Sequence, residues 1–97
     1  MIRHVALLQL KPGTSPAQVQ ALAAALSTLR TPGLISLRSG PDLGLREGNL
    51  GFAVVTDFED QAAYHAYEAD PEHNRIRAEH VFPITERAER CQFEVPG

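Results

Sequence analysis

The sequence predicts an α+β fold, one antiparallel sheet carrying two helical segments, and three observations predict it. Cap and turn signals divide the 97 residues into strand, helix, strand, strand, helix, strand. Two of the strands alternate so that both of their faces are largely apolar. The second helical segment is broken by a proline in the stretch Tyr64-His65-Ala66-Tyr67-Glu68-Ala69-Asp70-Pro71-Glu72-His73, which holds both tyrosines and two of the four histidines.

The first strand is Ile2 to Leu10. Ile2, His4, Ala6, Leu8 and Leu10 share one face, and Arg3, Val5, Leu7 and Gln9 share the other. Lys11-Pro12-Gly13-Thr14 ends it with turn chemistry. A helix start follows: Ser15 caps, Pro16 takes the first helical position, and Gln18 completes a capping box. Val19, Leu22, Ala23, Leu26 and Leu29 then keep helical spacing until Thr31-Pro32-Gly33 stops the element.

Leu34 to Ser39 reads as the second strand, with Ile35, Leu37 and Ser39 opposite Leu34, Ser36 and Arg38. The connection from Gly40 to Asn49 is rich in turn formers and longer than a tight hairpin requires, as a binding loop or a rim against a partner would be. Leu50 to Asp57 is the third strand, with Leu50, Phe52, Val54 and Thr56 on one face and Gly51, Ala53 and Val55 on the other.

Phe58-Glu59-Asp60 leads into the helix that carries Ala63, Tyr64, Ala66 and Tyr67. Proline disfavours helix in the residue before it and suits a first helical turn. One helix therefore ends near Ala69 and another begins at Pro71, with Asp70 as its cap. His73, Ile76, Arg77 and His80 line one side of that second piece, and Val81-Phe82-Pro83-Ile84 is its apolar exit. Arg90 to Val95 is the last strand, with Cys91, Phe93 and Val95 expected inward as small or apolar core. This order is the split βαβ, ferredoxin-like arrangement βαββαβ: a four-stranded antiparallel sheet with both helices on one face.

Composition bounds the function. Hydrophobic content of 43%, charged content of 22% and a net charge of −3 describe a single small domain, residues 1–97, without the clustered basic surface of a nucleic-acid binder. No apolar run approaches a bilayer span, so no membrane role is expected. The first residues read as a strand rather than a leader. One cysteine, Cys91, excludes an internal disulfide and suits a reducing, cytoplasmic setting. Two helices cover only one face of such a sheet, which leaves Val5, Leu7, Ala53 and Val55 to be buried by something else. The expected cover is a second copy, giving a homodimer through the open sheet face.

Ile2-Arg3-His4-Val5, Gly40-Pro41-Asp42 with Glu47-Gly48, Tyr67, the Pro71-Glu72-His73 step and the Phe93-Glu94-Val95 ending together resemble the stress-responsive A/B barrel (Dabb) domain family over nearly the whole chain. The resemblance implies a dimeric α/β barrel and a stress-associated role. It is distant for one branch, that of olivetolic acid cyclase, which folds linear polyketides by aldol chemistry in a pocket between sheet and helices. What that branch implies here is a catalytic Tyr67, a catalytic His73 and a pocket-lining His4. Its further histidine, on the third strand, is matched here by Gly51.

From the residues themselves, His73 has the proton affinity of a general base near neutrality, and Tyr67 can donate a hydrogen bond to a carbonyl or enolate. His4 shares a face with Ala6 and Leu8 and can line the same cavity. The opposing reading makes His73 a brace of the helix corner and Tyr67 a core residue. His73 and His80 are seven apart, not at the four-residue separation of helical zinc pairs, so neither metal nor cofactor is expected. The function expected is therefore a homodimeric module binding a small apolar molecule, with a polyketide cyclase-like or lyase-like enzyme using His73 and Tyr67 as the alternative.

Overall fold

The computed structural model describes residues 1–96. Strand β1 is Ile2–Leu10, helix α1 Pro16–Leu26, strand β2 Leu34–Pro41, strand β3 Phe52–Phe58, helix α2 Gln61–Ala69, helix α3 Pro71–Ile76 and strand β4 Thr85–Glu94. A π-helical turn, Arg77–Val81, and a 3-10 turn, Phe82–Ile84, join α3 to β4. All pairings are antiparallel and the sheet order is β2-β3-β1-β4, so the fold is ferredoxin-like.

Local signals set the helices. Ser15 accepts from the Gln18 amide while the Gln18 side chain accepts from the Ser15 amide, which satisfies two otherwise orphaned donors of α1. Asp60 caps α2 by accepting from the Ala63 amide. Gly33 has φ of 79°, a left-handed value that a side chain resists. A Cβ there would also lie 2.5 Å from that of Ala63, so the chain needs glycine to bring α2 this close to the turn before β2.

The core lies between the helices and one face of the sheet. Leu22, Leu26 and Leu29 meet Leu8, Phe52, Val54 and Phe58 there, with Tyr67, Ile76 and Ile84. Each such side chain contributes about 1.5–3 kcal/mol by leaving water.

Three expectations fail, all from non-local pairing. A register shift between Leu34 and Ser36 throws Ile35 outward, 53% exposed, and puts Leu34 and Leu37 together on the core side. Strand β4 begins at Thr85, five residues before Arg90, because Leu10 to Leu7 of β1 pair with Thr85, Arg87, Ala88 and Glu89. That pairing also fixes its faces. Val5 opposes Cys91 and Arg3 opposes Phe93, so both lie on the open face; Cys91 is exposed, not core. Arg90 and Gln92, opposite Ala6 and His4, face the helices instead.

The open face is apolar between two ion pairs, Arg3–Asp57 and Arg87–Glu89. Leu7 is 38% exposed and Phe93 48%, with Val5, Ala53 and Val55 half-buried between them. The Arg3 guanidinium donates to both carboxylate oxygens of Asp57, at 2.8 and 3.0 Å. This pairing holds the Asp57 carboxyl below its ordinary pKa.

Candidate functional site

The proline corner works through Asp70. Its carboxylate accepts from the His73 amide at 2.9 Å and caps α3, while Pro71 fills the first helical position. The turn carries the chain back so that the His73 ring stacks on Tyr67, centroids 3.9 Å apart and planes 29° from parallel. Both side chains are buried.

His73 Nδ1 lies 2.9 Å from the Tyr67 carbonyl oxygen. A carbonyl can only accept, so Nδ1 carries the proton and Nε2 the lone pair. No group among the described residues bonds that Nε2. Burial pushes the His73 pKa down, against the Tyr67 carbonyl and Glu68, so the ring is neutral at pH 7.

Burial likewise raises Tyr67, to about 12, which keeps its phenol protonated as a donor. The Thr56 hydroxyl oxygen beneath it is buried without a hydrogen-bond partner. Tyr67 also packs edge-on against Phe58, at 5.2 Å.

His4 comes from the middle of β1 and is buried. Gln92 Nε2, on β4, lies 2.9 Å from its Nδ1, and the Tyr64 ring sits 5.3 Å away. Burial lowers the His4 pKa, with Arg90 and His73 adding to that and Glu68 opposing it.

His4, Tyr67 and His73 line one cavity of about 50 Å³, room for about one or two water-sized groups. Its walls are apolar: Ala6, Leu8, Leu26, Val54 and Val81. Glu68, Arg77 and Arg90 add charge to its lining, with Glu68 and Arg77 3.8 Å apart. The π-helical turn after α3 supplies Arg77 and Val81, a common use of such turns beside functional sites.

Other sequence candidates fall elsewhere. Gly51 precedes β3, where a Cβ would meet the Leu10 side chain, and the third-strand residue lining the cavity is Val54. Gly51 is thus no position for a cavity histidine. His65 is exposed and borders a separate groove of about 370 Å³ with Tyr64, Gln92 and Phe93. His80 is half-buried beside Glu79, outside the cavity lining. Gln92 and Arg90 escaped the sequence reading, since a polar residue on an outer strand gives no signal until its register with His4 is known.

A buried histidine–tyrosine–histidine cavity inside a ferredoxin-like α+β domain defines the class of this protein. The model of the Stress Responsive A/B Barrel Domain, Dabb, matches residues 2–95, and the chain belongs to that family. Among solved structures it is similar to a dimeric ferredoxin-like protein of unknown function from Thermobifida fusca YX. The two are 35% identical, the match covers 97% of this chain and 90% of that one, and the TM-score is 0.90. A hydroxynitrile lyase from Passiflora edulis is 21% identical over 98% of this chain and 93% of its own, with a TM-score of 0.81. The cofactor-independent oxygenase SnoaB from Streptomyces nogalater is 16% identical over 99% and 93%, with a TM-score of 0.74. No curated protein matches the sequence at a significant level.

Proposed function

We propose that the chain works as a homodimer, packed through the open sheet face, whose cavity takes the reactive end of a small, largely apolar carbonyl compound. His73 is the general base and Tyr67 the hydrogen-bond donor. The observation that carries this is the His73 Nδ1 contact with the Tyr67 carbonyl, which commits Nε2 to the unprotonated form.

Nε2 takes a proton from carbon next to the carbonyl, and the C–H electron pair becomes the enolate π bond. The Tyr67 phenol, held protonated by burial, donates to the oxygen that gains the charge. Return of a proton from His73 to carbon completes the turnover. So does attack of that carbon on a second carbonyl carbon, whose C=O π pair goes to oxygen and takes the proton from His73. No cofactor is needed for that step, and the lyase and cofactor-independent oxygenase on this fold are compatible with it. The cavity's size argues that only the reacting end of a ligand is enclosed.

The bare apolar face supports the dimer, as does the dimeric T. fusca protein. A reducing, cytoplasmic setting suits the exposed Cys91 thiol.

The test is deuterium exchange of butan-2-one α-hydrogens, followed by NMR. The wild type should exceed free imidazole at equal concentration. His73→Ala should lose about 100-fold or more and Tyr67→Phe less, each assayed at a temperature where the variant remains folded. A wild type no faster than imidazole, or an undiminished His73→Ala variant, overturns the reading. A binding module without turnover is the second reading, favoured by the apolar walls; it predicts butan-2-one binding with no exchange.

A further inference from the structure

The cavity holds two imidazoles with different neighbours, and those neighbours give them opposite roles. His73 bonds a carbonyl oxygen through Nδ1. His4 meets an amide nitrogen, Gln92 Nε2, at the same ring position and the same 2.9 Å. An amide nitrogen donates, so His4 Nδ1 must accept, and in the neutral ring the proton then sits on Nε2.

We infer that Gln92 is a positioning residue which holds His4 as an Nε2–H donor, matched to the His73 Nε2 acceptor across the same cavity. This rests on the proposed acid–base reading and deepens it by naming what the ligand presents. Its carbonyl oxygen accepts from His4, while its acidic C–H faces His73. A ligand with two acceptors and no acidic C–H leaves the His73 lone pair unused. An ammonium group, which only donates, meets the His4 N–H with a second donor.

The placement has a structural logic. Gln92 is an exposed residue on the outermost strand, 88 positions from His4 in sequence, yet the β1–β4 register sets it directly opposite that histidine. The side chain contributes nothing to the buried core. It reaches inward to the one buried imidazole it can bond, and Tyr64 closes against the same ring. His4 gives up no proton in this scheme. Its N–H and the Tyr67 O–H both bond the oxygen that becomes the enolate, the proton from carbon goes to His73, and charge balances throughout.

The experiment is ¹⁵N NMR of histidine-labelled protein, which distinguishes a protonated ring nitrogen from a bare one. In the wild type, His4 should show a protonated Nε2 and a bare Nδ1, and His73 the reverse. Gln92→Glu replaces a donor with a carboxylate acceptor. It should move the His4 proton to Nδ1 or protonate the ring fully, and slow butan-2-one exchange roughly 10- to 100-fold, the usual cost of a lost supporting bond. Gln92→Met keeps the length without a donor and should leave His4 a mixture of both tautomers. Both variants should melt close to the wild type, since Gln92 itself is exposed and outside the buried core.

A wild-type His4 protonated at Nδ1, or a Gln92→Glu variant with an unchanged His4 pattern, overturns the inference whatever the exchange rates are. The acid–base reading fails separately, on an undiminished His73→Ala rate.

Discussion

Acidification below pH 6.5 should destabilise this domain through its two buried histidines, before its carboxylates titrate. Burial lowers both His4 and His73 below the ordinary imidazole value of 6.5. As pH falls through 6.5 the unfolded chain therefore takes up protons that the folded chain refuses. Stability is complete above that value and is lost below it. Each histidine steepens the slope by at most about 1.4 kcal/mol per pH unit, so the pair reaches about 2.7 kcal/mol per unit at the steepest. That slope holds only until each histidine's own folded-state pKa is reached, so the pair removes part of a total of about 5–15 kcal/mol. Asp57 and Glu72 are lowered by Arg3 and Arg75, and their losses begin only as pH falls into the ordinary carboxylate range. Urea titrations at about pH 7.5 and 5.5, at fixed protein concentration, measure the effect in the wild type and in a His4→Gln, His73→Gln double variant. The wild type should lose stability and the double variant should be nearly flat. Equal slopes in the two proteins would show that other groups carry the proton uptake, and would refute the reasoning.

The corner gives a second expectation. Asp70→Ala removes the acceptor of the His73 amide and should cost about 1 kcal/mol, or roughly 4–8 °C of melting temperature, while Asp70→Asn keeps the cap and most of the stability. Equal losses in the two variants would point to charge rather than capping. The open face gives a third: Leu7→Glu places a charge at its centre, and light scattering should fall from twice 10.6 kDa to 10.6 kDa. A wild type that already scatters as 10.6 kDa, or a variant that stays dimeric, sinks the dimer through this face.

What the sequence made legible was local or strictly periodic. Ser15, Pro16 and Gln18 announce α1, and Asp70 with Pro71 announces α3, because a cap and its partner lie within one turn. The alternation of β1 put His4 beside Ala6 and Leu8, and β1 keeps that face toward the cavity. The failures sit where a distant strand decides. Thr85-Glu86-Arg87-Ala88-Glu89 has no apolar alternation, and only its ladder with β1 makes it a strand. Ile35 follows a perfect alternation that one register shift overrides. Cys91 and Gln92 exchanged faces for a related reason, since apolar alternation marks which residues share a face and says nothing about which face meets the helices. The tautomers were invisible, because they depend on whether the neighbour is a carbonyl or an amide.

The site and the assembly meet on β1. Its even residues, His4, Ala6 and Leu8, line the cavity, and its odd residues, Arg3, Val5 and Leu7, form the middle of the open face. The strand is one layer thick, so a partner pressed on Val5 and Leu7 limits the freedom of His4 directly. The same holds for β4, whose only sheet neighbour is β1, and which carries Cys91 and Phe93 outward and Gln92 inward. An unpaired outer strand frays more readily than a central one. Fraying of β4 breaks the Gln92 contact first, before any core residue is exposed, and frees His4 to change tautomer. Association through the open face, by covering Cys91 and Phe93, therefore opposes the motion that would disarm the site. If the proposed dimer and acid–base chemistry both hold, the two are coupled through β1 and β4 even though no residue of the cavity lies on the open face.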